Sequence, residues 1–216
     1  MPLPPALPQF ATRVLPVVVI TNPDHAVPMA RALLAGGIDA IEITLRHPSA
    51  LESLARVARE VPDMVVGAGT LLTPADVDRV LSAGARFALA PGATPALLDA
   101  AAAAGLPFVP GVMTPSEAMA ARDRGYRLLK LFPAAQAGGL AMLKALGSPL
   151  PDLRFCPTGG VSAANLAEFL AQPNVALAGG SWLTPAAAAE AGDWNTITSL
   201  AREACAIAVR ASGSQA

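Results

Sequence analysis

Short apolar runs recur along the chain at 14–20, 38–43, 64–68, 86–90, 107–110, 127–132, 153–157 and 175–178. Their centres lie roughly 20 to 26 residues apart, room for one strand and one helix in each of eight units. The segments between them carry helix punctuation at both ends. Ser49 with Glu52 and Thr114 with Glu117 have the spacing of a capping box. Pro74, Pro95 and Pro115 each follow a threonine, at what would be the first helical position, where a missing N–H costs nothing. Gly36, Gly84, Gly105 and Gly125 each close a helical stretch and are expected in the left-handed conformation of a C-terminal cap.

Strict alternation of strand and helix implies parallel strands joined by right-handed crossovers. Eight such units in 216 residues predict an α/β fold, a closed (β/α)8 TIM barrel. A doubly wound open sheet is the competitor, but the first strand-to-helix turn, Ile20-Thr21-Asn22-Pro23-Asp24, has no Gly-x-Gly-x-x-Gly phosphate loop. Two pieces stand outside the repeat. An N-terminal segment, 1–12, is expected as a short helix across the barrel floor, and a C-terminal helix is expected over 193–211, with 212–216 as a frayed tail.

Composition narrows the function classes. At 53% hydrophobic and 14% charged residues, the chain suits one well-packed domain spanning 1–216. A formal net charge of -1 with no block of like charges leaves no footprint for nucleic acid or an anionic membrane. No stretch reaches the ~18 unbroken apolar residues of a membrane span. The Pro-rich start lacks the basic-then-apolar order of a signal peptide, so a cytoplasmic location is expected. Cys156 and Cys205 lie in unrelated segments, which fits neither a disulfide framework nor a zinc site; both are expected as buried small apolar residues. Without a cluster of His, Asp and Glu, no metal and no cofactor is expected. His25, His47, Trp182 and Trp194 read as surface imidazoles and packing residues.

The 15 basic residues comprise 13 Arg and only two Lys, Lys130 and Lys144, which singles out the lysine inside an apolar run. In Leu128-Leu129-Lys130-Leu131-Phe132 the period of two puts Lys130 on one face with Leu128 and Phe132. A lysine taken out of water holds its charge less firmly, and a free amine can attack a carbonyl; the alternative is a lysine that snorkels to the strand end or pairs with an acid. In Ile41-Glu42-Ile43-Thr44-Leu45-Arg46 the same period sends Glu42, Thr44 and Arg46 inward and the apolar set toward the helices. Glu42 could then move protons and Arg46 grip a carboxylate; the alternative is a buried Glu–Arg or Glu–Lys ion pair with a structural role. The small residues of Gly67-Ala68-Gly69-Thr70 would let a ligand approach the backbone, with Thr70 as a donor. Gly159-Gly160 and Gly179-Gly180-Ser181 follow the last two runs, where barrels bind phosphate through exposed N–H groups; two tight turns that merely need glycine are the alternative.

An inward lysine, an inward glutamate, an arginine and a glycine-rich anion loop suggest Schiff-base carbon–carbon lyase chemistry. The chain resembles the bacterial 2-keto-3-deoxy-6-phosphogluconate (KDPG) and 4-hydroxy-2-oxoglutarate (KHG) aldolases. The likeness runs through Glu42-Ile43-Thr44-Leu45-Arg46, Gly67-Ala68-Gly69-Thr70, Pro91-Gly92, Pro110-Gly111, Lys130-Leu131-Phe132-Pro133, Phe155-Cys156-Pro157-Thr158-Gly159-Gly160 and Gly179-Gly180-Ser181-Trp182. It implies a class I aldolase in which Lys130 forms the imine and Glu42 is the general acid-base. It also implies that Arg46 and Thr70 hold the pyruvyl carboxylate, that Pro91 and Phe132 line the pocket, and that Gly159, Gly160, Gly180 and Ser181 receive phosphate. Substrates implied are a 2-keto acid sugar phosphate and pyruvate, in the Entner–Doudoroff pathway, with a homotrimeric assembly. Where several relatives carry a basic residue after the first strand, this chain has Ile20-Thr21-Asn22. Competing readings are another phosphate-binding TIM-barrel enzyme, an isomerase or synthase, or a non-catalytic sugar-phosphate-binding barrel.

Overall fold

The computed structural model describes residues 3–213. Nine strand segments, all parallel, alternate with helices: β1 (Val14–Val18), β2 (Ala40–Thr44), β3 (Val65–Gly69), β4 (Phe87–Leu89), β5 (Phe108–Val109), β6 (Gly111–Val112), β7 (Leu128–Leu131), β8 (Arg154–Pro157) and β9 (Ala178–Gly180). The helices are α1 (Ala26–Ala35), α2 (Ala50–Glu60), α3 (Pro74–Ser82), α4 (Pro95–Ala103), α5 (Pro115–Asp123), α6 (Gly139–Gly147), α7 (Leu166–Leu170), α8 (Ala186–Ala191) and α9 (Trp194–Gly213).

The strands form a curled parallel arrangement of two sheets, a six-stranded one in the order β5-β4-β3-β2-β1-β9 and a three-stranded one in the order β6-β7-β8. A single uninterrupted eight-strand ladder, as the sequence predicts, is not what forms. The fifth run divides at Pro110, which has no N–H to give to a ladder. Its carbonyl still accepts the Lys130 N–H at 2.8 Å. The eighth run begins the ladder late: Val175 makes only an isolated bridge to Phe155, and β9 starts at Ala178. A second isolated bridge joins Thr158 to Gly179.

The apolar residues separate into two layers. Ile41, Ile43, Leu129 and Leu131 belong to the large cluster between sheet and helices, whereas Leu15, Ala40, Phe87, Leu89, Val109 and Cys156 fill the inner face of the sheet. The period-two reading of strands β2 and β7 therefore holds. Prolines 74, 95 and 115 start α3, α4 and α5 as expected, and Thr114 and Glu117 form the capping box.

Other expectations need correction. Ser49 and Glu52 do not cap α2, because the Ser49 hydroxyl donates to the Ile20 carbonyl while Glu52 pairs with Arg56 at 2.6 Å. Gly84, Gly105 and Gly125 adopt positive φ, but at the end of α1 that role passes to Gly37. Gly36 remains right-handed, and the reason for glycine there is packing: a Cβ would lie 2.3 Å from Ala201 Cβ in α9. Residues 3–12 form no helix; the segment crosses the floor in irregular conformation. Leu7 and Phe10 pack on the inner layer, with the Phe10 and Phe87 rings 5.2 Å apart. At the other end α9 extends through Ser212 and Gly213, past the expected end at 211; 214–216 and 1–2 lie outside the described residues. Among the described residues no helix is long and apolar enough to cross a membrane.

Candidate active site

The inner face of the sheet is apolar at its N-terminal end and polar toward its C-terminal end. Glu42, in the middle of β2, is completely buried, and Lys130, in β7, is 3% exposed. Lys130 Nζ donates to Glu42 Oε1 at 2.9 Å, an ion pair formed across the interior by residues 88 positions apart. Glu42 Oε2 is buried and has no protein hydrogen-bond partner. A carboxylate oxygen left in that state costs free energy.

Local sequence explains how the pair fits. A Cβ on Gly69 would lie 2.1 Å from Glu42 Oε1, and one on Gly67 would lie 2.4 Å from the Phe87 ring. The small residues of β3 thus make room for the protein's own side chains. Thr44, also fully buried, donates its hydroxyl to the Val18 carbonyl at 3.0 Å and ties β2 to β1 beside the glutamate. Cys156 faces Lys130 in the β7–β8 register. Burial pushes its thiol up to about 11, against the pull of the Lys130 charge, so the thiol stays protonated and does not compete as a nucleophile. Cys205 is half-buried rather than fully buried.

Above the pair, the Phe132 ring centroid lies 5.4 Å from Lys130 Nζ. Phe132, Arg46, Gly159, Gly160, Gly180 and Ser181 share the wall of one open cavity of about 370 Å³, within the range of small-molecule sites. Thr70 does not line this cavity but reaches it through Arg46, whose Nε donates to Thr70 Oγ1 at 3.3 Å. Thr70 has φ +64°, a left-handed conformation rare for a β-branched residue. Such strain is characteristic of functional loops. Pro91 is not on the cavity wall either. It crosses Gly111, where a Cβ would meet the Pro91 carbonyl carbon at 2.3 Å, and Gly111 is the register partner of Lys130.

The glycine pairs do more than turn the chain. Gly159 and Gly160 have φ +92° and +85°, and a Cβ on Gly160 would lie 2.5 Å from Ala135 Cβ. Gly180 lies against the Trp182 ring, 1.7 Å from where a Cβ would be. Thr158, quoted above only as part of a motif, also lines the cavity; it follows Cys156 by two residues, and the strand period could have marked it as inward. Thr184 lines the cavity too, and no strand or helix period points to it. His47 and His25 stand apart from the pair: His47 Nδ1 is 2.7 Å from Ser49 Oγ, and His25 meets the Trp194 ring edge-on at 5.5 Å. Among the described residues no three His, Cys, Asp or Glu come together as a metal site.

A family model described as KDPG and KHG aldolase matches residues 9–200. The chain belongs to this family. It is thereby placed among the lyases. Its relatives include the 2-dehydro-3-deoxy-phosphogluconate aldolase of Pseudoalteromonas atlantica, 50% identical over 193 residues and covering 89% of this chain and 90% of that protein. Among solved structures, the KDPG aldolase of Legionella pneumophila, with pyruvate captured as a covalent carbinolamine intermediate, superposes with a TM-score of 0.89 at 45% identity, covering 90% of this chain and 95% of that one. The KDPG aldolase of Zymomonas mobilis with 3-phosphoglycerate superposes with a TM-score of 0.86 at 41% identity, covering 91% and 92%.

Proposed function

We propose that this protein is a class I aldolase that reversibly cleaves 2-keto-3-deoxy-6-phosphogluconate to pyruvate and glyceraldehyde 3-phosphate, and 4-hydroxy-2-oxoglutarate to pyruvate and glyoxylate. The observation that carries the reading is the buried Lys130–Glu42 pair with one unpartnered carboxylate oxygen. Lys130 passes a proton to Glu42, and its amine attacks the C2 ketone. Glu42 returns that proton to the carbinolamine hydroxyl, which leaves as water, and the resulting iminium draws electrons from the C3–C4 bond while Glu42 is again a carboxylate. Glu42 takes the proton of the C4 hydroxyl as that bond breaks and the aldehyde leaves. The remaining enamine receives a proton at C3 from Glu42, and water hydrolyses the resulting iminium to pyruvate and free lysine. One carboxyl group thus serves as base and then as acid, help typically worth ~10²–10⁴ in rate.

Arg46, braced by Thr70, takes the pyruvyl carboxylate, Phe132 and Pro91 cover the reacting carbons, and Gly159, Gly160, Gly180 and Ser181 take the phosphate. No metal and no cofactor enters the sequence of steps. The two sheets act as one closed (β/α)8 barrel, a reading supported by the single-residue break at Pro110 and the two bridges from β8 toward β9. In the same proposal residues 1–216 form one domain, and the protein works as a cytoplasmic homotrimer on small-molecule 2-keto acids.

Lys130→Arg tests the mechanism, because arginine keeps the charge and loses the nucleophilic amine. Pyruvate release from either substrate falls below detection in this variant if an imine is required. Retention of more than a tenth of the activity would assign Lys130 a purely electrostatic role.

A further inference from the structure

The glycine end of the cavity holds donors that the protein leaves unused. The Gly160 N–H donates to no carbonyl or side chain, and the hydroxyls of Ser181 and Thr184 make no hydrogen bond to the protein. Arg46 is the one charged residue on the cavity wall. An anion at this end is therefore held by neutral donors, so each donor counts for more than it would beside a lysine or a second arginine.

Thr184 is set in place by its neighbours. Its own N–H donates to the Ser181 carbonyl at 3.3 Å, which closes a four-residue turn with the two hydroxyl residues at its ends. Between them Leu183 is fully buried and Trp182 packs against Gly180, so the middle of the turn is anchored in the protein while its ends border the cavity. Pro185 follows and biases the backbone of Thr184 toward an extended conformation. A threonine that served only to close the turn would need its backbone alone.

We infer that Thr184 is a further substrate-binding residue, its hydroxyl donating to the phosphate of the sugar-phosphate substrate alongside Ser181 and the Gly160 amide. This rests on the aldolase reading above and adds to it a residue that selects the phosphorylated substrate over the unphosphorylated one.

Thr184→Val removes the hydroxyl and keeps the shape. Loss of one hydrogen bond to a charged group raises KM for 2-keto-3-deoxy-6-phosphogluconate about tenfold or more, while kcat stays within about twofold and kcat/KM for 4-hydroxy-2-oxoglutarate is unchanged. Thr184→Ser restores the KM. Titration with inorganic phosphate reads the same contact without turnover: affinity falls about tenfold in Thr184→Val and recovers in Thr184→Ser. Equal losses on both substrates would show a structural role for the turn and overturn the assignment, as would an unchanged KM with unchanged phosphate affinity. Phosphate binding that depends on Thr184 in a protein that cleaves neither substrate would uphold this contact and count against the proposed aldolase function alone.

Discussion

At the floor of the sheet the polar groups of the N-terminal segment are matched within the protein. The Ala11 N–H lies 2.8 and 2.9 Å from the two Asp39 carboxylate oxygens, and Arg13 donates to the carbonyls of Val175 and Ala176. Leu7 and Phe10 then close over Phe87 and the inner apolar layer. Toward the mouth the opposite holds: Glu42 Oε2, buried below the cavity, and the Ser181 and Thr184 hydroxyls and Gly160 amide on its wall make no hydrogen bond to the protein. A buried polar atom left without a hydrogen bond costs about 1–3 kcal/mol. Of these groups Glu42 Oε2 is the buried one and bears that cost, whereas Gly160 and Ser181 are open to solvent. Stability and chemistry occupy opposite ends of the same strands.

The contrast can be broken from either end. The largest effect is expected at the mouth: Glu42→Gln keeps a polar partner for Lys130 but cannot exchange the proton. Its kcat falls by ~10²–10⁴, measured by pyruvate release, with the unfolding midpoint close to that of the parent protein. At the floor, Phe87→Ala opens a cavity in the inner layer and costs about 3 kcal/mol or more in denaturant unfolding, while kcat measured well below the unfolding transition is retained. A comparable loss of kcat in Phe87→Ala would mean that the two ends are mechanically coupled. The smallest effect sharpens the comparison at a third place. Ser53, buried in α2 with an unpartnered hydroxyl, does not line the cavity. Ser53→Ala gains about 1 kcal/mol of stability and leaves both substrates' kinetics unchanged.

Sequence patterning went furthest where a single local rule decides the structure. The period of two placed Lys130 and Glu42 inward and Ile41, Ile43, Leu129 and Leu131 outward, and Pro at the first helical position marked three helix starts correctly. It fell short where a residue answers to a distant neighbour. Gly36 is glycine because Ala201 packs on it, and Gly69 because Glu42 does, so neither is explained by its own turn or strand. Ser49 has the spacing of a cap but is drawn to the Ile20 carbonyl across a loop. The irregular floor segment follows from its prolines and from the apolar layer it covers, and Thr184 enters the cavity only through a turn anchored by Trp182 and Leu183. Proximity in three dimensions, which the linear pattern does not encode, decides each of these.

The central claim is that the unmatched mouth is built around an imine-forming lysine, and trapping tests it most directly. Protein incubated with pyruvate and reduced with borohydride should carry a reduced pyruvate adduct on Lys130 by peptide mapping, and Lys130→Ala should carry none. No adduct under conditions that trap a known imine-forming aldolase, or an adduct confined to Lys144, would contradict the account.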